Sequence, residues 1–129
     1  MPLKTLIVDD EPIARKVLSE ELESIEDLEI VGEADDGAAA LEQIAMHQPD
    51  LVLLDLQMPA MSGLEVVRRL KNGAHMPVII IVTAYDKYAL EAFEAGAIDY
   101  LPEGIRKRPE AVAETIANNM RRVIRASNA

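Results

Sequence analysis

Apolar residues fall along this chain in short unbroken runs, each closed by acidic or small residues and followed by a stretch of helical period. Leu3 to Val8 is the first run, and it ends in Asp9-Asp10-Glu11. Pro12 suits the first turn of a helix, in which Ala14, Val17, Leu18, Leu22 and Ile25 recur at helical spacing. Leu28 to Ala34 predicts a second strand closed by Asp35-Asp36-Gly37, and Ala38, Leu41, Ile44 and Ala45 mark the apolar face of a second helix. Leu51 to Asp55 predicts a third strand; its Leu51-Val52-Leu53-Leu54 run is of the kind buried on both faces of a sheet. Met58-Pro59 signals a turn. Ser62, with Glu65 three residues on, forms a capping box for a helix through Leu64, Val67 and Leu70 that stops near Asn72-Gly73. Val78 to Thr83 predicts the fourth strand and Ala97 to Leu101 the fifth. Between them a helix from about Asp86 to Ala95 ends at Gly96. Pro109 opens a last helix carrying Val112, Ile116, Met120 and Val123.

Strand and helix thus alternate five times with short connections. That alternation predicts an α/β fold, a parallel sheet covered on both sides with right-handed crossovers. Two-layer arrangements are excluded on the expectation that each strand is apolar on both faces. The 129 residues make one domain, residues 1–129, long enough for a proper core. No apolar segment has the length of a membrane span, and no signal peptide is expected. The chain has no cysteine, which excludes disulfides and thiolate zinc and fits a cytoplasmic location. With 13 basic against 23 acidic residues the net charge is −10, which excludes a general nucleic-acid binder. The charge is uneven: residues 1–100 hold 20 acids and 7 bases, and residues 101–129 hold 3 acids and 6 bases. Any contact with an anionic partner therefore belongs to the last helix.

In a parallel sheet all strands end at the same edge, where open α/β folds place their ligands. Asp9 and Asp10, Asp55, Thr83 and the segment after Tyr100 gather there. Converging carboxylates, without a thiolate or a histidine cluster, ask for a hard, oxygen-preferring cation, and Mg²⁺ is the expected one. Such an ion would neutralise charge during in-line phosphoryl transfer. Asp55, at a strand tip before a flexible loop, is the candidate nucleophile that would form an aspartyl phosphate. Asp9 and Asp10 are the candidate metal ligands, and Thr83 a donor to a transferred phosphoryl oxygen. Taken singly, such acids are ordinarily helix caps or solvated turns, as expected of Asp35, Asp36 and Asp86. Their coincidence at three strand ends is what calls for chemistry.

Val8-Asp9-Asp10-Glu11-Pro12, Asp55 through Pro59 with Gly63, Thr83-Ala84, and Gly96-Ala97-Ile98-Asp99-Tyr100-Leu101 together resemble the receiver domain of bacterial two-component response regulators. The resemblance covers nearly the whole chain. It implies a flavodoxin-like doubly wound (βα)5 sheet of strand order 2-1-3-4-5. It also implies a phosphoryl group accepted on Asp55 from a histidine kinase or phosphotransfer protein, in a signalling domain rather than a metabolic enzyme. Asp10, Asp55 and the backbone carbonyl of Gln57 are implied as Mg²⁺ ligands with Asp9 assisting, and Thr83 and Tyr100 as a switch pair. Val31-Gly32-Glu33-Ala34 and Thr83 through Leu90 look most like receivers attached to LytTR-type DNA-binding domains. An output domain of that kind is not expected within these residues.

The chain departs from the family at Pro102-Glu103-Gly104, where Glu103 stands in place of the expected lysine, and the proline after it is missing. A charge pair at about 4 Å is worth about 4 kcal/mol at an effective dielectric near 20. The exchange therefore supports an alternative, a degenerate receiver that acts as a phosphorylation-independent interaction module. Arg106 and Lys107 are the candidates to supply the charge in its place. A magnesium-dependent phosphatase is disfavoured because the position for its leaving-group acid is Gln57. His47 and His75 read as surface residues, since nothing nearby would orient them, and Phe93 and Val67 read as core. Tyr100 either swings between rotamers or simply packs. The bases Arg106, Lys107, Arg108, Arg121, Arg122 and Arg125 are expected along or beside the face of the fourth helix, fifth strand and last helix, and acids Asp86, Glu91, Glu94 and Asp99 on the neighbouring elements. A weak two-fold homodimer through the fourth helix, fifth strand and last helix is expected from that pattern.

Overall fold

The structure is a computed structural model that describes residues 3–23, 25, 28–56, 58–71, 73, 76–83, 94, 99–102, 114 and 118. Within them the chain runs β1 (Leu3–Val8), α1 (Pro12–Leu22), β2 (Leu28–Ala34), α2 (Gly37–His47), β3 (Leu51–Leu54), α3 (Gly63–Lys71), β4 (Val78–Thr83) and β5 (Asp99–Pro102). The strands form one sheet in the order β2-β1-β3-β4-β5, and all its pairings are parallel. This is the flavodoxin-like arrangement.

Alternation along the strands builds a core on each side of the sheet. Leu6 and Val8 of β1, Val52 and Leu54 of β3, and Ile79 and Ile81 of β4 pack with Ala40 and Ile44 of α2 and Leu64, Val67 and Leu70 of α3. Leu3 and Ile7, Leu51 and Leu53, and Ile80 and Val82 face the other way, against Leu18 and Leu22 of α1. Each fully buried aliphatic side chain contributes about 1.5–3 kcal/mol, and β1, β3 and β4 supply the largest fully buried ones among the described residues, with Leu22 of α1.

Several elements differ from the sequence expectation. β2 is not apolar on both faces: it is the sheet's edge, with Glu29 and Glu33 exposed, as charged side chains guard an open edge. Its pairing with β1 slips between Thr5 and Leu6, whose partners are Ile30 and Gly32, so Val31 is the extra residue of a bulge. α1 ends at Leu22, with Ile25 packed beyond it, and Val17 is exposed rather than on the core face. In α2 the buried positions are Gly37, Ala40 and Ile44, while Ala38 and Ala45 face solvent. The small residues at 37–40 carry little hydrophobic contrast. The helix start is set by the Asp36 cap, whose Oδ1 accepts from Ala39 N at 2.7 Å, and its buried face by packing of Ala40 and Ile44 on the sheet. α3 has half the expected capping box: Ser62 Oγ accepts from Glu65 N at 3.2 Å, and the Glu65 carboxylate reaches forward to Arg69 Nε at 3.2 Å. β3 stops at Leu54, one residue before Asp55. β5 extends to Pro102, one residue past the expected end, and its expected start at Ala97 lies outside the described residues. The fourth and last helices also lie outside them, apart from Glu94, Glu114 and Asn118, which are helical.

Candidate functional site

The acidic edge is an extension of the sheet. Val8 pairs with Leu54 across β1 and β3, so the residues after them, Asp9 and Asp55, leave neighbouring strands at the same level. Their amides continue the ladders: Asp55 N donates to Val8 O at 2.9 Å, and Asp9 N donates to Ala34 O at 3.1 Å. Asp9 is 4% exposed, and its Oδ1 accepts the Glu11 amide at 2.9 Å, which turns the chain from β1 towards α1. Asp10 is exposed and Asp55 half-buried. One carboxylate oxygen from each of Asp9, Asp10 and Asp55 lies within 4.8 Å of the other two. Opposite oxygens around an octahedral Mg²⁺ are about 4.2 Å apart, given bonds of about 2.0–2.1 Å. The donor set is all oxygen, and a closure of no more than about 0.6 Å would bring its span to that of a small hard cation.

The loop after Asp55 is held by close packing. A Cβ on Gly63 would stand 2.2 Å from the Asp55 carbonyl oxygen and 2.9 Å from Leu56 Cα, so only glycine lets α3 begin this near the phosphoacceptor candidate. Gly63 N donates to Leu56 O at 2.9 Å across the same contact. A Cβ on Gly37, the first residue of α2, would stand 2.7 Å from Met61 Cβ. Between these anchors Met61 N donates to Pro59 O at 2.8 Å, and the enclosed residue, Ala60, has φ 66°. A hydrogen bond spanning one residue at positive φ is the pattern of the strained γ-turn.

β4 reaches the same edge. Leu54 pairs with Ile81, which puts Thr83 at the end of its strand, two positions beyond that pair, and Tyr100 pairs with Ile81 on β5. Gln57, Glu103, Arg106 and Lys107, together with most of the charged residues of the expected homodimer face, lie outside the described residues. Asp36 is a helix cap, as expected. His47 is the last residue of α2, away from the acidic edge.

Arg15 went unnoticed in the sequence. Its Nη1 donates to the Asp9 carbonyl at 2.6 Å, and its Nε pairs with Glu33 Oε1 at 3.4 Å, with 19% of the Arg15 side chain exposed. The available signal was a cation near a helix N-terminus, where the macrodipole disfavours it. Such a residue needs partners elsewhere. Among the described residues no helix is long and apolar enough to cross a membrane.

Comparison with known proteins agrees with this geometry. The response regulator receiver domain family matches residues 5–113. An uncharacterized response regulatory protein of Vibrio cholerae is 42% identical over 125 residues, 95% of this chain and 48% of that protein. The sensory transduction protein LytT of Bacillus anthracis is 46% identical over 99 residues, 77% of this chain and 40% of that protein. The chain thus spans about half the length of the curated relatives it matches. Among solved structures, the response regulator domain of Thermotoga maritima CheB superposes with a TM-score of 0.86 at 25% identity, covering 97% of this chain and 98% of that one. Nothing in these likenesses or in the described residues favours a phosphorylation-independent module. Accepting a phosphoryl group in two-component signalling is the general function of such domains, which are signalling domains rather than a class of enzymes, and this chain belongs to the response regulator receiver family.

Proposed function

We propose that Asp55 is the phosphoacceptor and that Asp10, Asp55 and the Gln57 carbonyl, with Asp9 assisting, hold a Mg²⁺ ion there. The observation that carries this is the span of 4.8 Å or less among oxygens of Asp9, Asp10 and Asp55 at one sheet edge. The bound ion would offset charge on the phosphoryl oxygens as they approach three carboxylates. An Asp55 oxygen forms the new O–P bond in line with the breaking P–N bond of a phosphohistidine donor. The electron pair of the broken bond leaves on the imidazole nitrogen. Thr83 donates to a phosphoryl oxygen after transfer, and Tyr100 responds with it.

The donor is a histidine kinase or phosphotransfer protein. It has to sit over the acidic edge, and Ile13 and Val17 of α1, 72% and 42% exposed one helical turn apart, offer it an apolar footing there. Residues 1–129 are taken as one receiver domain working in the cytoplasm, and the extra length of the relatives supports an output domain beside it. Weak, salt-sensitive self-association rests on the charge pattern of the fourth and last helices in the sequence alone. Intact mass after incubation with acetyl phosphate and Mg²⁺ tests the central assignment. The chain should gain one phosphoryl group, and Asp55→Ala should gain none. A gain that persists in Asp55→Ala would overturn it.

A further inference from the structure

Arg15 joins three elements at the acidic edge, and none of the roles assigned so far uses it. Its guanidinium donates from Nη1 to the Asp9 carbonyl at 2.6 Å and from Nε towards Glu33 Oε1 at 3.4 Å. Glu33 belongs to β2, Asp9 follows β1, and Arg15 itself is on α1. The carbonyl it holds belongs to the peptide between Asp9 and Asp10. Asp9 already has its amide on Ala34 O and its Oδ1 under the Glu11 amide, so the Arg15 contact adds a third hold on the same residue. With that peptide held on one side of Asp10 and the Glu11 amide held by Asp9 Oδ1 on the other, the direction in which Asp10 leaves the backbone is restricted. Asp10 is the exposed member of the cluster, the one with least packing to hold it beside Asp55.

The charge of Arg15 would act in the opposite sense. A guanidinium near a cation site repels the cation, while a fixed ligand geometry favours it. Glu33 offsets the charge and leaves the geometry, which is what a positioning residue requires and a counter-charge does not.

We propose that Arg15 is a positioning residue for the acidic site: by clamping the Asp9–Asp10 peptide against Glu33 it holds Asp10 in register with Asp55 and so raises the affinity for Mg²⁺. The inference rests on the proposed Mg²⁺ site.

The test is a Mg²⁺ titration of the whole chain followed by amide NMR shifts, with Arg15→Lys, Arg15→Met and Glu33→Gln, each kept well below its own melting temperature. Arg15→Lys keeps the charge without the fork, and Arg15→Met keeps the length without charge or donors. Both should bind Mg²⁺ roughly tenfold more weakly or worse, the usual consequence of removing a group that orients a metal ligand. Glu33→Gln should weaken binding less, because the bond to the Asp9 carbonyl remains. Should Arg15→Met fail to fold, Arg15→Lys alone decides. Tighter binding in Arg15→Met with no change in Arg15→Lys would show a charge effect and overturn the proposal. So would lower melting temperatures with unchanged Mg²⁺ affinity, which is the mark of a purely structural staple. Absence of Mg²⁺ binding in the unaltered chain would overturn the site itself, an outcome distinct from either.

Discussion

Gly63→Ala should damage the acidic site and the fold together, because the added methyl has no room that a side chain can vacate. Its Cβ would lie 2.2 Å from Asp55 O, 2.9 Å from Leu56 Cα and 3.0 Å from Asp55 C, all of them backbone atoms. Ordinary contact begins near about 3.5 Å, so the Asp55 carbonyl or the start of α3 must shift by roughly 1 Å. Overpacking of this kind costs about 1–3 kcal/mol. The shift also breaks the 2.9 Å bond from Gly63 N to Leu56 O, worth about 1 kcal/mol. The sum, about 2–4 kcal/mol, is a large part of the roughly 5–15 kcal/mol that holds a domain folded. At roughly 3–5 °C per kcal/mol for a chain of this size, the melting temperature should fall by roughly 6–20 °C. The same shift moves Asp55 relative to Asp9 and Asp10, whose oxygens now lie within 4.8 Å of its own, so stabilisation by Mg²⁺ should shrink as well. Thermal melts with Mg²⁺ and with chelator measure both effects. Gly73→Ala is the control, since among the described residues its Cβ would meet only Leu70 O at 3.4 Å and should change stability by no more than about 0.5 kcal/mol. The reasoning is refuted if Gly63→Ala melts like Gly73→Ala and keeps the full Mg²⁺ response.

Mg²⁺ should raise the melting temperature of the unaltered chain by mass action and leave that of Asp10→Ala unmoved; identical melts of the unaltered chain with millimolar Mg²⁺ and with chelator would rule out the assembled site. Ala60→Gly should stabilise by about 0.5–1 kcal/mol, because relief of the left-handed backbone at φ 66°, about 1–2 kcal/mol, exceeds the added entropy of the unfolded chain. Ala60→Val should destabilise, and chemical denaturation that ranks the two the other way would remove the strain assigned to that turn. Glu103→Lys with Gly104→Pro should accumulate more phosphorylated protein than the unaltered chain under the same acetyl phosphate and Mg²⁺; equal accumulation would place Glu103 outside the phosphoryl pocket.

Residues that serve the fold through hydrophobic contrast were legible in the sequence. The runs at Leu51–Leu54 and Val78–Val82 have no polar position to confuse their ends, and their strands lie where expected. The Asp9, Asp10 and Asp55 cluster was legible for the same reason: once strand ends are known, a parallel sheet brings them to one edge. Where contrast fails, the sequence misleads. Gly37-Ala38-Ala39-Ala40 offers no preferred face, and the buried positions follow contacts with Met61 and the sheet instead. The edge position of β2 depends on strand order, which the family resemblance implied and the local hydrophobic pattern does not contain. Arg15 was missed because its function is to hold a carbonyl, and no residue type marks a carbonyl that needs holding.

The positions that resist change at this edge are backbone contacts. Asp55 is fixed on one side by the ladder to Val8 and on the other by the carbonyl under Gly63. Met61, further along the loop, lies against Gly37 at the head of α2. A displacement of the Asp55 main chain therefore cannot be absorbed locally, because packed interiors transmit strain rather than compress. It must pass to α3 through Gly63 and to α2 through Met61, with the strained turn at Ala60 as the part of that path nearest to changing shape. Asp9 is held by three contacts of its own, so that path runs through the loop and the two helix N-termini, which form the opposite wall of the site. Phosphorylation at Asp55 would act on that wall as well as on Thr83 at the end of β4.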